Sequence, residues 1–577
     1  MRALALAGLL VFCACGDIRR DAPRSLASGR AALQSDDAAT RAKAAWDLGQ
    51  LGLAEIAEGE PEPAVSISLR EAAVAALIPI VSDPEASVRR AAVAALGKTG
   101  GCDIEDALVS AGTDVDAGVR GEVALALFRH RFLKRVPEYS TASVNKLLTL
   151  AADPDPEVRW RAVYVFTRFP DERAVKTLTQ AVKDSDKVTR LFAVRALLKL
   201  GRRADLALLS DTDIYVRAEA VAAFGAAKAA GELPLSVYTD PSAHVRAAAA
   251  DAVAATGEAG LADRLEKMAD MDGPMPRGRA LIALAKLRGG AEAARLSRAR
   301  KDPHWWIRSK AFEASAFLPD ADAVLSAGVA DADARVASQA LETLAAGFAV
   351  DGSTLAAAAI AQVLRDPRAQ LELLGTAIDA AHERKSPAFV EALNAAGRRA
   401  DLTAEIRNSL RKALEASGGA LKAGPVPDEP KTFAPLAASP ILVLETEKGM
   451  VELLLDAAAA PNTAAAIAAT VKKGVYDGTI WHRVVTAFVV QGGDPRGSGW
   501  GDDGFRLADE INPAPFLRAT LGMPKAGPDT GGCQLFVSLV PAPHLDGRYT
   551  AFGRVISGME VFDALEPGDK IIKARLR

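Results

Sequence analysis

Cysteine and histidine are scarce in this chain of 577 residues, which has four cysteines and six histidines. Cys13 and Cys15 lie within the first fifteen residues, whereas Cys102 and Cys533 are far apart in sequence. So few cysteines exclude a disulfide framework. The histidines are scattered and no His/Cys cluster has the spacing of zinc ligands, so we predict no structural metal.

Aromatic residues make up only 5% of the chain, and neither sign of charge is in excess. The 70 basic and 73 acidic residues give a formal net charge of -3, so there is no global positive charge to attract the phosphates of nucleic acid. Abundant alanine with few aromatics indicates closely packed helices. A single hydrophobic core stops growing at roughly 250 to 300 residues, so the chain must contain at least two domains.

The N-terminus has the pattern of a targeting segment. A single positive charge at Arg2 precedes an apolar run over residues 3–12, which suits a signal-peptide core but is too short to span a bilayer. Residues 12–16 resemble a bacterial lipoprotein processing site, and the small residue Ala14 favours Cys15 as the lipidated cysteine. Phe12 departs from that pattern, which prefers an aliphatic residue.

These residues lead us to expect a signal peptide over residues 1–15 and a tether over residues 16–34. The protein would then be lipid-anchored in the bacterial cell envelope and face the periplasm or the exterior. An ordinary cleaved signal with incidental cysteines is the alternative, and it predicts secretion without the anchor.

One pattern recurs over residues 35–416: an aspartate, often followed by proline, and then a Val-Arg or Ile-Arg pair that leads into an alanine-rich stretch. Its arginines are Arg89, Arg120, Arg159, Arg217, Arg246 and Arg308, with weaker copies at Arg41 and Arg190. The copies recur about every thirty residues, which suits two short helices and two turns, and such self-similarity signals a solenoid. The pattern resembles short HEAT repeats.

The residue types in each copy fit a helix boundary. We expect the aspartate to cap the start of the second helix, with proline tolerated in its first turn. Val158, Ala162, Val165 and Phe166 fall on one helical face, which each helix pair must bury against its neighbours.

Two features of the repeats have a functional and a structural interpretation. The repeated arginines either form a ligand-binding row or pair with neighbouring acids, and we favour pairing. Trp305 and Trp306 either mark a binding patch or contribute to the core. The sequence does not identify a ligand of this region, although a repeat arm is a suitable platform for a protein partner.

A new domain is expected after a Pro/Gly-rich linker over residues 417–439, whose composition suits a semi-rigid spacer. Apolar runs at residues 441–446 and 451–455 predict a β-hairpin around Lys448 and Gly449. This domain would occupy residues 440–577.

Several motifs follow one another in this last part of the chain. They are Trp481, His482, Arg483; the run over residues 488–495 that contains Gln491, Gly492 and Gly493; the run over residues 526–536; and the run over residues 545–554. In order and spacing they resemble the cyclophilin family. The resemblance implies a closed antiparallel β-barrel with capping helices, behind a HEAT-like α-solenoid.

The resemblance also implies an activity, the cis/trans isomerisation of prolyl peptide bonds in proline-containing clients. It assigns the catalytic role to Arg483, whose guanidinium is a permanently charged donor. It assigns the apolar wall to Phe488, Val489, Phe536 and Leu545, and the positioning of the substrate backbone to Gln491 and Gln534. Considered one at a time, Arg483 would be interpreted as a member of a surface ion pair, and Phe488 and Phe536 as residues of the barrel core. The reaction needs no cofactor.

The sequence departs from the family at several substrate-contacting positions. Pro524 and Lys525 stand where many cyclophilins have alanine and asparagine, and proline removes an amide donor while lysine changes the local charge. His544 replaces a tryptophan associated with cyclosporin binding. Tyr549 stands at a position where other members have histidine, and in this respect the chain resembles bacterial members.

Three other features of this domain have a structural interpretation. Residues 492–501 are glycine-rich but lack the Gly-Lys-Ser/Thr ending of a phosphate-binding P-loop. We expect His482 to face away from Arg483 as a hydrogen-bonded structural histidine, and Cys533 to serve packing. The leading hypothesis is an isomerase that assists the folding of exported proteins, and the alternative is a proline-binding scaffold with little or no turnover.

Overall fold

The computed structural model describes residues 22–53, 64–101, 104–351, 354–420 and 429–577. The lipidation prediction at Cys15, with residues 1–15, lies outside these residues, as does part of the predicted linker. The fold has two compact units. The first contains the chain up to Leu208 with Pro513–Pro515 and Pro543–Arg548, and the second contains Leu209–Asn512, Phe516–Ala542 and Tyr549–Arg577.

The N-terminal part is helical, as the repeats predict, with short 3₁₀ turns between many of its helices. The helices are α1 (Ala22–Ala32), α2 (Ala38–Gln50), α3 (Ala64–Leu77), α4 (Ala86–Thr99), α5 (Glu105–Ala111), α6 (Ala117–Phe132), α7 (Thr141–Leu150), α8 (Pro156–Arg168), α9 (Val175–Ala181), α10 (Lys187–Lys199), α11 (Ile214–Ala226), α12 (Ala243–Thr256), α13 (Glu266–Met271), α14 (Pro274–Arg288), α15 (Ala293–Ala299), α16 (Trp305–Ala314), α17 (Ala321–Gly328), α18 (Ala334–Asp351), α19 (Thr354–Arg365), α20 (Leu371–Arg384), α21 (Val390–Ala396) and α22 (Ala404–Ala416).

The capping at the start of α8 differs from the prediction. At α8 the N-cap residue is Asp155, whose side chain accepts the backbone N–H of Glu157 at 2.8 Å. The repeated aspartate, Asp153, lies two residues earlier and accepts the N–H of Asp155 at 2.9 Å. The prediction that the repeated aspartate caps the helix is therefore wrong, because that residue shapes the preceding turn.

The repeated arginines form a ladder with these aspartates, as the pairing interpretation predicts. Arg120 donates through Nε and Nη2 to both carboxylate oxygens of Asp153, the aspartate of the next repeat, at 2.7 and 2.8 Å. Its Nη1 donates to the carbonyl oxygen of Asp114 in its own repeat at 2.9 Å. The same pairing joins Arg41–Asp83, Arg89–Asp114, Arg159–Asp184, Arg217–Asp240, Arg246–Asp272 and Arg308–Asp331.

Small residues let the long helices approach closely. A Cβ atom on Gly225 in α11 would lie 2.6 Å from the Cα of Ala252 in α12, closer than two carbon atoms can pack. A Cβ atom on Gly97 in α4 would likewise lie 2.5 Å from the Cα of Ala126 in α6. Both glycines lie eight residues after a ladder arginine, so the glycine–alanine contact belongs to the repeat itself. The abundance of alanine follows from this packing.

The C-terminal part forms one eight-stranded antiparallel sheet in the order β3-β4-β6-β5-β7-β2-β1-β8. The strands are β1 (Ile441–Thr446), β2 (Gly449–Leu455), β3 (Ile480–Val485), β4 (Val489–Asp494), β5 (Thr520–Gly522), β6 (Leu535–Ser538), β7 (Ala551–Ser557) and β8 (Ile571–Leu576), accompanied by helices α23 (Pro461–Lys472) and α24 (Met559–Ala564). β3 lies at one end of this order and is bridged to Lys570, next to β8, through Ile480, which closes the barrel. The predicted hairpin is confirmed as β1 and β2.

None of the helices among the described residues has the length and apolar character needed to cross a membrane.

Candidate functional site

Strand register brings three of the predicted site residues, Arg483, Gln491 and Phe536, onto one face of the barrel. Arg483 in β3 lies opposite Gln491 in β4, and Gln491 lies opposite Phe536 in β6. Residues directly opposite each other in antiparallel strands project to the same side of the sheet. The guanidinium, the carboxamide and the aromatic ring therefore share one surface, with Gly522 in β5 opposite Phe536 as the next position.

Arg483 is presented at this surface by an irregularity in β3. The register with β4 shifts between Trp481 and Arg483, and such a bulge re-aims the side chains beside it. The Arg483 side chain is exposed, and its Cζ lies 5.8 Å from the ring centroid of Phe488. Partial burial lowers the pKa of Arg483 and Tyr549 opposes that shift, but a guanidinium stays protonated at neutral pH.

Next to Arg483 the surface is apolar. Val489 and Phe536 are buried, and Phe488 is half-buried. The Phe536 ring stacks on Phe516, with centroids 5.6 Å apart and planes 22° apart. A Cβ on Gly522 would overlap the Phe536 ring, so only glycine at this position leaves room for the ring in its observed place.

The two predicted glutamines bind each other. Gln491 Nε2 donates to Gln534 Oε1 at 3.0 Å, and Gln534 Nε2 donates to the carbonyl oxygens of Gly499 and Gly501 at 2.8 and 3.0 Å. Gln534 is thus tied to the glycine-rich segment and fixes the orientation of Gln491. The Gln491 carboxamide is consequently pre-oriented beside Arg483.

A buried carboxylate organises that glycine-rich segment. Asp494 is fully buried, and its oxygens accept the backbone N–H groups of Arg496, Ser498 and Gly501 at 2.7, 2.8 and 3.1 Å. Gly499 has φ +93°, a conformation that side chains disfavour. The segment wraps around its own aspartate, so its N–H groups point inward to a carboxylate and not outward to a phosphate.

Lys525 is held away from the surface by an ion pair. Its Nζ lies 2.6 Å from Asp509 Oδ2, and the two side chains are only 8% and 6% exposed. The ammonium group also lies 5.4 Å from the ring centroid of Tyr549, whose ring in turn meets Phe536 edge-on at 6.3 Å. The positive charge of Lys525 is therefore neutralised by a partner within the barrel.

His544 and Leu545 belong to the segment that is part of the first unit. Leu545 is buried in a short 3₁₀ turn, Pro543–Leu545. His544 Nδ1 lies 3.0 Å from the phenolic oxygen of Tyr164 in α8. Burial, followed by Arg168 and Arg548, lowers the pKa of His544 to about 3, so the imidazole is neutral at pH 7. Nothing in the repeat pattern distinguishes Tyr164, so this contact could not be predicted from the sequence.

Two structural interpretations made from the sequence have different outcomes. His482 is buried while Arg483 is exposed, as expected, but neither ring nitrogen of His482 finds a hydrogen-bond partner among the described residues. The prediction of a hydrogen-bonded histidine is therefore wrong. Cys533 is buried and its Sγ lies 3.5 Å from the Gly493 carbonyl oxygen, which agrees with a packing role. Burial raises the pKa of Cys533 to about 12.

Within the second unit, arm helices reach the barrel close to Arg483. His244 in α12 is buried and its Nδ1 lies 2.8 Å from Thr486 Oγ1, just after β3. A cavity of about 270 Å³ lies beside this contact, lined by residues 484–486 together with side chains of α11, α12 and α14 and by Trp306. Trp305 packs instead against the core of the later helices, and Arg335 lies over its ring at 4.1 Å.

No group of three or more His, Cys, Asp or Glu side chains in the described parts of the chain is placed to hold a metal ion.

Comparison with known proteins agrees with this geometry. Residues 441–575 match the family model for cyclophilin type peptidyl-prolyl cis-trans isomerases, and residues 144–210 and 204–285 match HEAT repeats. A peptidyl-prolyl cis-trans isomerase of Synechococcus elongatus is 42% identical over 136 residues, which are 23% of this chain and 94% of that protein. One from Helicobacter pylori is 40% identical over 140 residues, which are 24% of this chain and 86% of that protein.

The strand register, the exposed arginine beside an apolar wall and these matches lead to one conclusion: through its C-terminal barrel the chain belongs to the cyclophilin-type peptidyl-prolyl cis-trans isomerase family, and its N-terminal part is a HEAT-repeat arm.

Proposed function

We propose that the barrel catalyses cis/trans isomerisation of prolyl peptide bonds in client polypeptides, with Arg483 as its catalytic residue. The observation that carries the proposal is the position of Arg483. Its guanidinium lies 5.8 Å from the Phe488 ring, on the strand face that also bears Gln491 and Phe536. Such a surface offers a charged donor beside an apolar seat for a pyrrolidine ring.

The chemistry requires stabilisation of a twisted amide. Resonance gives the prolyl C–N bond a rotation barrier of roughly 18–20 kcal/mol, and uncatalysed exchange takes about tens to hundreds of seconds. Half-way through the rotation that resonance is lost, and the proline nitrogen becomes pyramidal and accepts a hydrogen bond. A site that lowered the barrier to about 13 kcal/mol would turn over on the order of 10³ times per second.

Each site residue has a distinct task in this scheme. Arg483 donates to the pyramidal nitrogen or to the carbonyl oxygen before it, which favours the twisted amide over both planar isomers. Phe488, Val489 and Phe536 hold the ring while the rest of the amide turns. Gln491, oriented by Gln534, positions the substrate backbone, and no cofactor takes part.

The test is an exchange assay on the full chain with a panel of short Xaa-Pro peptides. The wild type is expected to accelerate cis/trans exchange of the Xaa-Pro bond, and Arg483→Ala is expected to lose most of that acceleration. Arg554→Ala, which removes another exposed arginine of the same barrel, is the matched control and should behave as wild type. Peptide binding without any acceleration by the wild type would leave a proline-binding scaffold as the function.

The same proposal places the protein in the bacterial cell envelope, anchored through an acylated Cys15. Its support is the apolar run over residues 3–12 followed by the lipoprotein-like residues 12–16. Metabolic labelling with a fatty acid in a bacterial host checks the anchor. Cys15→Ser should abolish labelling and Cys13→Ser should leave it intact; equal labelling of the wild type and Cys15→Ser would rule out Cys15.

The arm is proposed to hold a protein partner or an unfolded client. Its support is the HEAT-repeat match together with large apolar side chains that the arm leaves in solvent. Leu206, Leu235 and Met271 are 50%, 70% and 78% exposed. If these exposed side chains bind unfolded chains, Leu235→Asp combined with Met271→Asp should weaken suppression of client aggregation while cis/trans exchange of peptides continues.

A further inference from the structure

Within the second unit, one position of the repeat lies against the barrel. Counted four residues on from Asp211, Asp240, Asp302 and Asp331, this position holds Tyr215, His244, Trp306 and Arg335. Tyr215 donates to Asp563 at 2.7 Å, and Arg335 Nη1 donates to the carbonyl oxygen of Gly497 at 3.1 Å. Trp306 lines the cavity beside residues 484–486. The spacing of the repeats thus places four side chains along the barrel, and we call them the barrel-facing row.

His244 of the barrel-facing row binds the turn between β3 and β4. Its Nδ1 lies 2.8 Å from Thr486 Oγ1, in the turn that follows Val485 at the end of β3. Thr486 comes three residues after Arg483 and two residues before Phe488. The contact therefore lies between the guanidinium and the ring in the chain, and a shift of this turn moves both of them.

The backbone of this turn is strained. Ala487 is buried and has φ +52°, in the left-handed region that residues with a Cβ atom rarely adopt. The N–H of Phe488 donates to the carbonyl oxygen of Val485 at 3.1 Å, which closes the turn. A strained conformation persists only when its surroundings hold it in place. The bond between His244 and Thr486 supplies such a hold on the residue directly before Ala487.

The imidazole of His244 is itself firmly held. It is 1% exposed, and its ring meets the Tyr215 ring at 5.6 Å with an angle of 60° between the planes. The hydroxyl of Tyr215 is fixed in turn by Asp563. Burial lowers the pKa of His244 to about 4, with Asp563 opposing the shift, so the imidazole is neutral at pH 7. A neutral imidazole and a hydroxyl can each donate or accept, so the bond to Thr486 forms with either tautomer.

We propose that His244 is a positioning residue of the isomerase site, which holds Thr486 and thereby fixes Arg483 relative to Phe488. The distance that it sets is the 5.8 Å between the guanidinium carbon and the ring centroid. This inference rests on the proposed function for the tasks of those two residues. Misplacing a catalytic group by about 1 Å can lower a rate by about 10²-fold, so a distant side chain that fixes the turn can control the rate. His244 acts through Thr486 and not on the client.

The experiment removes the hydrogen bond from either side in the full chain. His244→Leu and Thr486→Val each delete one partner and keep an apolar side chain of similar size. Each should lower kcat for an Xaa-Pro peptide about tenfold and change KM less than about threefold, because a hydrogen bond to the twisted amide depends on geometry more steeply than an apolar contact does. The double variant should be no slower than either single variant, since both changes remove the same bond.

Two further variants and one local measurement separate positioning from a general loss of structure. Thr486→Ser keeps the hydroxyl and should keep most of the wild-type kcat. His382→Leu, which removes a histidine from α20, is the control and should keep the wild-type kcat. Thermal unfolding gives the folded fraction of each variant, to which kcat is referred. The Phe488 amide should undergo hydrogen exchange about fivefold faster in His244→Leu than in the wild type or in His382→Leu.

Each outcome decides between distinct conclusions. A wild-type kcat in His244→Leu or in Thr486→Val overturns the inference, and so do losses that multiply in the double variant. A raised KM at unchanged kcat also overturns it, because the contact would then serve binding alone. If the wild type isomerises no peptide, the proposed function fails. Faster exchange of the Phe488 amide in His244→Leu would even then support the hold of His244 on the turn, whereas unchanged exchange would overturn it.

Discussion

At the scale of single residues, the placement of Arg483 depends on a local irregularity of its strand. The bulge between Trp481 and Arg483 leaves Trp481 and His482 both buried and Arg483 exposed. In a regular strand Trp481 and Arg483, two positions apart, would project to the same side of the sheet, whereas the bulge sets them opposite the successive residues Gly492 and Gln491, which face opposite sides. The motif predicts a set of site residues, but the bulge that orients Arg483 is not visible in the residue types.

His482 makes the stability of the barrel depend on pH. Burial lowers its pKa to about 4, with Asp494 opposing the shift, and the imidazole is neutral in the fold at pH 7. The unfolded chain takes up a proton near pH 6.5 whereas the folded chain does so near pH 4, so stability falls as the pH falls through this window. At pH 4.5 the expected loss is about 2 kcal/mol relative to pH 7.

His482→Leu tests this account, because it removes the titrating group and its two unpartnered nitrogens. Urea unfolding of the wild type and the variant at pH 7 and pH 4.5 measures the effect. The variant should lose less stability than the wild type between the two pH values. An identical loss in both proteins would assign the pH dependence to other groups.

At the scale of elements, the arginine–aspartate ladder fixes one repeat on the next. Each arginine makes two contacts to the next repeat and further contacts to carbonyl oxygens of its own turn, as Arg159 does with Asp184 and with Asp153 and Pro154. The side chains of Arg159 and Asp184 are 15% and 11% exposed, so the pair is largely shielded from water. Charge-assisted bonds of this kind are stronger than exposed ion pairs.

Arg159→Ala is expected to lower the free energy of unfolding of the arm by about 2 kcal/mol, because it removes the guanidinium donors from the carboxylate of Asp184 and from two carbonyl groups. Arg173→Ala is the matched control, since Arg173 pairs with Asp171 but is 48% exposed. Arg173→Ala should lower the free energy of unfolding by less than about 1 kcal/mol. Equal losses in urea unfolding would show that the ladder stabilises no more than a surface pair.

The glycine–alanine contacts predict the effect of adding one methyl group. Gly225→Ala gains roughly 1 kcal/mol of helix propensity. It also forces the new Cβ against the backbone of Ala252, which moves only if α11 and α12 separate, and such overpacking costs about 1–3 kcal/mol. We expect a net loss of stability, measured by thermal unfolding.

Gly260→Ala provides the comparison, because the added Cβ meets open space there. It should be neutral or slightly stabilising. A stabilising effect of Gly225→Ala of the same size would contradict the close approach of the two helices.

The sequence predicted the helical repeats, the pairing of their arginines and the first hairpin of the barrel. It did not predict which aspartate caps each helix, because Asp153 and Asp155 are chemically identical and only the geometry of the turn assigns the cap to Asp155. It also left Trp305 and Trp306 undecided, since adjacent helical positions face different neighbours. Periodicity identified the elements, whereas turn geometry and tertiary contacts determined the rest.

At the scale of the whole molecule, the second unit joins arm helices to the barrel through polar contacts. Tyr215 in α11 donates to Asp563 at 2.7 Å, and Arg518 binds the same carboxylate at 2.9 and 2.6 Å. Glu566, which follows α24, accepts the N–H of Met275 in the first turn of α14 at 2.9 Å. Tyr215 and Asp563 are 348 residues apart in sequence, and Met275 and Glu566 are 291 apart, so no local pattern predicts these two contacts.

The contact of Glu566 completes a helix cap from outside the helix. The N-cap residue of α14 is Gly273, which has no side chain to accept an N–H, and the Glu566 carboxylate takes that place. Glu566→Ala should therefore speed amide hydrogen exchange in the first turn of α14 by roughly fivefold, equivalent to about 1 kcal/mol. Amides of α4, in the first unit, should not change, and unaltered exchange in α14 would show that the cap contributes nothing.

The central claim is that Arg483 binds the twisted prolyl amide more strongly than either planar isomer. Its most direct test is to measure, on one peptide by NMR, both the exchange rate in the bound state and the dissociation constant for the wild type and Arg483→Ala. The account predicts that exchange slows about 10²-fold or more while the dissociation constant changes less than about threefold, as expected when a donor acts chiefly in the transition state. A large loss of affinity with bound-state exchange unchanged would contradict it.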